Sequence, residues 1–162
     1  MQVQTARFGA LEIEESKVVE MPQGMLGFAG TRFVLLTPPN LGPFCWLQSV
    51  GQPELAFVVT DAKHWFPRME FRLTAEECSS LELGEAGAVV FLLVVTMAKD
   101  PKQITANLRG PIALNPERQI ARQIVFEGET YPTRQPLFAP QESVKGGRRS
   151  GKKPAPGAVQ PA

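Results

Sequence analysis

Short apolar runs, alternating with polar residues and cut every few positions by Gly or Pro, fill residues 1 to 138. Two-residue alternation over Val3 to Phe8 and again over Leu11 to Glu14 predicts two strands turned at Gly9-Ala10, since successive strand side chains face opposite sides. Val18 and Val19 lead into Met21-Pro22, and Phe33 to Thr37 forms a strand stopped by Pro38-Pro39. Across Phe44 to Val50, Phe44, Trp46 and Gln48 share one face while Cys45, Leu47 and Ser49 share the other. Leu55 to Thr60 is almost wholly apolar. Val89 to Val95 is rich in β-branched residues and reads as a central strand covered on both faces. Ile120 to Phe126 alternates again. One helix is indicated: Thr74 with Glu77 makes a capping box, and Glu76 and Glu77 suit the positive end of a helix dipole. Together these predict an all-β sandwich or barrel with one short helix.

Two segments interrupt the pattern. In Thr105 to Asn115, TANLRGPIALN, strands Ile104 to Leu108 and Ile112 to Leu114 flank Gly110-Pro111. Pro111 cannot donate a ladder hydrogen bond, which predicts an edge or a break, and an exposed edge is where another chain docks. The amides of Asn107 and Asn115 are costly to bury unpaired and serve either as turn caps within the domain or as partner contacts. Leu108, Ile112 and Leu114 suit an ordinary core. The second segment, Gln23 to Phe28, is a Gly-rich loop in which glycines permit tight turns and Leu26 and Phe28 pin it to the core. Left exposed, Leu26 and Phe28 would instead be partner anchors.

Charge divides the chain at residue 138. Residues 1 to 138 hold twelve Lys and Arg against fifteen Asp and Glu, whereas residues 139 to 162 hold five against one. That C-terminal stretch of Gly, Pro, Ala and basic residues has no apolar period and is expected to be disordered. It contains no aromatic residue to stack on a base, so it reads as a solubility tail and no direct nucleic-acid partner is expected. The N-terminus lacks the basic and apolar regions of a secretory signal, and the apolar run Ala86 to Ala98 is too short to span a membrane. A cytoplasmic protein, reduced at Cys45 and Cys78, is the expectation.

Chemistry is sparse. His64 is the single histidine, and Asp61 nearby comes with no Ser or Cys nucleophile, so a surface histidine beside a packed Trp65 is the reading. Gly24 to Gly30 lacks a Walker Lys-Ser/Thr and the dinucleotide spacing. No metal or cofactor is indicated, and a binding protein fits better than an enzyme.

Several motifs in order complete the reading. Met21-Pro22-Gln23-Gly24-Met25-Leu26-Gly27-Phe28, Pro43-Phe44-Cys45-Trp46-Leu47-Gln48-Ser49, Leu55-Ala56-Phe57-Val58-Val59, the TANLRGPIALN segment and Tyr131 to Leu137 resemble the FliW family of bacterial flagellar assembly factors over residues 2 to 138. Met25-Leu26 and Ala29 depart from the family's usual loop, and the basic tail lies outside its pattern. The resemblance implies a small antiparallel β-barrel, here residues 1 to 138, that acts by binding flagellin and the translational repressor CsrA; a monomer is the separate expectation. The edge expected at Pro111 makes Asn107, Leu108, Pro111, Ile112 and Asn115 the candidate partner-binding residues, with Leu26 and Phe28 as candidate exposed anchors. The alternative is a β-barrel holding a small ligand or flavin.

Overall fold

A computed structural model describes residues 1–84 and 87–138; the basic tail predicted to be disordered lies outside them. Ten strands form. They are β1 (Gln2–Thr5), β2 (Gly9–Glu12), β3 (Val18–Glu20), β4 (Arg32–Leu36), β5 (Phe44–Ser49), β6 (Ala56–Asp61), β7 (Val90–Thr96), β8 (Thr105–Asn115), β9 (Ile120–Gln123) and β10 (Gln135–Pro136). Strands β3 to β9 close into a barrel in the order β8-β7-β6-β5-β4-β3-β9, with β8 also paired to β9. Closure removes the barrel's edges. Neighbours are antiparallel except at one seam, where β3 meets β9 in parallel at Glu20 and Ile120. Hairpin β1–β2 stands apart as a two-stranded sheet.

The barrel interior is filled by one contiguous apolar cluster: Val19, Phe33, Leu47, Val59, Leu92, Ile112 and Ala121, one from each of the seven strands, with Leu114 beside them. An internal ligand would have to displace these side chains. A second cluster lies on the other face of β5 to β8 and joins Phe44, Val58, Leu93 and Val95 to Trp65, Phe71 and Leu137.

Two short helices cover the outside, where one was predicted. The capping box holds as read: helix α2 (Ala75–Ser80) starts with Thr74 Oγ1 accepting from Glu77 N and Thr74 N donating to Glu77 Oε1. The unpredicted helix α1 (Ala62–Trp65) is a single turn capped by Asp61, whose side chain accepts from Lys63 N at 2.9 Å. One turn carries no hydrophobic period, and that is why pattern reading passes over it. The first turn also moves. Residues 6 to 8 make it and Gly9 opens β2 opposite Thr5, at φ +73°. Thr5 Oγ1 accepts from Phe8 N and donates to Gly9 O, so the hydroxyl sets the turn ahead of the glycine.

Gly110-Pro111 does not break the strand. β8 runs unbroken over eleven residues, and the irregularity is absorbed in its register with β7. Leu92 pairs with Ile112 but Val94 pairs with Asn107, so Leu93 alone spans Leu108 to Pro111. Asn107 Oδ1 accepts from Arg109 N at 2.9 Å and Gly110 N at 3.1 Å, partnering amides inside this bulge. Pro111 sits opposite Ile124, just past the end of β9, and its carbonyl still accepts from Ile124 N at 2.8 Å. The missing N–H therefore falls where β9 stops. Pro111 is buried and presents no open edge.

Candidate partner-docking loop

Between β3 and β4 the chain forms a loop fastened at several points. Met21 N donates to Thr31 O at 2.7 Å across its base, and tight turns follow with Gly24 N to Met21 O and Phe28 N to Met25 O. Gly24 is required at its place: φ is +69°, and a Cβ there would lie 3.0 Å from Gly30 O. Met21 and Met25 point into the barrel cluster, 0% and 5% exposed, and they pin the loop. The sequence assigns that task to Leu26 and Phe28, and the assignment is corrected: Leu26 is 72% exposed and Phe28 50%. Four apolar residues in eight cannot all turn inward. The flexible thioethers fill the barrel end.

Two polar side chains from elsewhere hold the loop. Gln52 Nε2 donates to Ala29 O at 3.0 Å. Gln123, on β9, accepts from Leu26 N through Oε1 at 2.8 Å and donates from Nε2 to Gly110 O at 3.1 Å. Gln123 thus ties the exposed loop to the β8 bulge, and neither it nor Gln52 was singled out from the sequence. Phe28 stands edge-on to Phe57 of β6, with ring centroids 5.0 Å apart and planes at 84°. The result is a rigid loop that shows two large apolar side chains to solvent.

The remaining sequence candidates have internal roles. Leu108 and Ile112 are core residues, 2% and 1% exposed. Asn107 is occupied by the bulge. Asn115 is 4% exposed, and both ends of its amide are used: Nδ2 donates to Leu81 O at 2.8 Å and Glu82 O at 3.3 Å, and Oδ1 accepts from Glu117 N and Arg118 N. It locks the end of α2 to β8. Gln48 is fully buried, and its Nε2 faces the carbonyls of Ser49 and Pro53, both at 3.1 Å, across the β5–β6 turn. Of the seven residues proposed for partner contact, only Leu26 and Phe28 are placed to touch another molecule with their exposed side chains.

His64 is exposed on α1 and edge-on to Trp65 at 5.0 Å. Cys45 and Cys78 are free thiols, and burial, then the nearby Asp61 carboxylate, push the Cys45 thiol pKa up, which lowers its reactivity. Among the described residues no group of three or more His, Cys, Asp or Glu is arranged to hold a metal ion.

Fold and loop together define, among the described residues, a closed, side-chain-filled β-barrel that presents a pre-organised apolar loop to solvent. Comparison with known proteins gives that class its family. The profile of the FliW protein family matches residues 2–137. A flagellar assembly factor FliW of Geotalea uraniireducens is 64% identical over 147 residues, covering 91% of this chain and 90% of its own. One from Geobacter sulfurreducens is 52% identical over 159 residues, 98% of each. A crystal structure of the flagellar assembly factor FliW superimposes with a TM-score of 0.77 at 32% identity, covering 89% of this chain and 100% of that one. The chain belongs to the FliW family.

Proposed function

We propose that this protein is a cytoplasmic flagellar assembly factor that works by binding. It holds newly made flagellin and, when flagellin has been exported, sequesters the translational repressor CsrA so that flagellin translation resumes. Family membership supports the pathway, and the observation that carries a binding mechanism is the fastened loop exposing Leu26 and Phe28. Rigid apolar anchors lose little entropy on docking, and a few such residues supply most of an interface's energy. Burying both would contribute about 3 kcal/mol, or about a hundredfold in affinity. The switch needs only that occupancy by one partner weakens the other, a coupling that is reciprocal at equilibrium. No described helix is long and apolar enough to cross a membrane. Pull-down of purified flagellin and CsrA by the full chain tests the reading: capture of both is expected, and capture of neither overturns it.

A further inference from the structure

The exposed loop does not stand alone at its end of the barrel. Past Gln123 the chain stays bonded to β8: Ile124 N donates to Pro111 O at 2.8 Å and Phe126 N to Arg109 O at 2.9 Å. Ile124 is buried in the outer cluster with Leu81 and Ala113, and Phe126 packs against that cluster. Side chains alternate along an extended chain, so Gln123 and Val125 share the opposite face, about 7 Å apart. On that face Gln123 accepts from Leu26 N at 2.8 Å. Val125 is 54% exposed. Leu26 and Val125 therefore flank one glutamine, and Phe28 continues the patch toward Phe57.

The patch carries no charge of its own. Residues 21–31 and 123–126 contain no Asp, Glu, Lys or Arg. At the base of the loop Arg32 Nε and Glu20 Oε2 pair at 3.1 Å, so those two charges neutralise each other. Arg109, the cation of the neighbouring bulge, donates from Nε to Tyr131 O at 2.9 Å. Such a face has apolar area to offer a partner, and no anion to offer the cations of an RNA-binding surface.

We propose that Val125 is the third anchor of the docking loop, and that the face it completes takes flagellin and not CsrA; this rests on the function proposed above. Flagellin before export is a filament subunit without its neighbours. Filaments grow through contacts between unlike surfaces, so a free subunit leaves uncovered the apolar surface that its neighbours later bury. An uncharged apolar face matches that surface. A repressor that engages phosphates through cations finds its complement elsewhere on the acidic body.

The test is calorimetric titration of flagellin, and separately of CsrA, into the full chain and its variants. Val125→Asp should weaken flagellin about tenfold or more, because apolar contact is lost and a charge would be buried. Val125→Thr, of nearly the same shape, should weaken it about threefold and carries the same test should Val125→Asp not fold. Val125→Ile should keep the wild-type affinity, and CsrA should bind all three within about twofold of wild type. Phe138→Ser changes a side chain that packs on Trp65, beyond the opposite end of β6 from Phe57, and should alter neither affinity. Flagellin binding that survives the Val125 variants but falls with Leu26→Asp/Phe28→Asp overturns the third anchor and leaves the docking loop standing. Weakening of CsrA by Val125→Asp, with flagellin unaffected, overturns the choice of partner. Affinities for both partners that ignore Leu26→Asp/Phe28→Asp remove the docking loop itself.

Discussion

Replacing Gly110 by Ala tests how the bulge and the loop are joined. A Cβ at 110 would lie 2.9 Å from Gln123 Nε2, inside contact distance. The glutamine end is the mobile partner, so it swings away and the backbone stays. That movement releases the 3.1 Å bond to Gly110 O and withdraws Oε1 from Leu26 N. Two such bonds are worth about 1 kcal/mol net each. The Ala variant recovers about 0.4–1 kcal/mol by restricting the unfolded chain. A loss of about 1 kcal/mol remains, or a Tm lower by about 2–4 °C at this size. The local effect is more specific: the Leu26 amide loses its acceptor, and its hydrogen exchange accelerates about fivefold. Gln123→Ala removes the same bonds without a clash and loses about 2 kcal/mol. The double variant loses about as much as Gly110→Ala alone, because the shared contact is lost only once while the unfolded-chain effect of Gly110→Ala persists. Unchanged Leu26 exchange, or strictly additive losses, refutes the coupling.

Three further outcomes follow. Asn115→Ala strips partners from the carbonyl of Leu81, a residue with 0% exposure, and from two turn amides. It should cost about 2–3 kcal/mol in urea unfolding, and a change under about 0.5 kcal/mol contradicts the assigned role. Thr74→Ala opens the capping box and should lower stability by about 1 kcal/mol, with Thr74→Ser restoring most of it; equal stabilities of all three proteins would rule the cap out as a contributor. Alkylation of Cys45 in mildly alkaline buffer should be slow because burial and Asp61 both disfavour the thiolate. Asp61→Asn keeps a cap acceptor for α1 while removing the charge, so the rate should rise, and an unchanged rate would show that the carboxylate is irrelevant.

What could be read along the chain was whatever local chemistry decides. The capping box lies within four residues, and the β-branching of Val89 to Val95 marks a strand in any context. The Gly110-Pro111 interruption was misread because its compensation is distant: Leu93 of β7 absorbs the extra residues and Ile124 uses the Pro111 carbonyl. Gln123 meets Leu26 across 97 positions of sequence, and no period or motif signals such a pair. Met21, Met25, Leu26 and Phe28 are equally apolar, so composition could not say which two face the barrel. That choice rests on turns at Gly24 and Gly27 and on the space left at the barrel end. The loop's existence was legible from its glycines, but which of its side chains face outward was not.

If the β3–β4 loop is a docking surface, Leu26 and Phe28 set the affinity for its partners. Calorimetric titration of flagellin and of CsrA into the wild-type chain and into Leu26→Asp/Phe28→Asp tests it most directly. At least one partner should bind about a hundredfold more weakly to the variant. The variant should melt within about 4 °C of wild type, since Leu26 is largely exposed and the edge-on contact of Phe28 with Phe57 is worth about 1 kcal/mol. Unchanged affinity for both partners, with the fold intact, would contradict it.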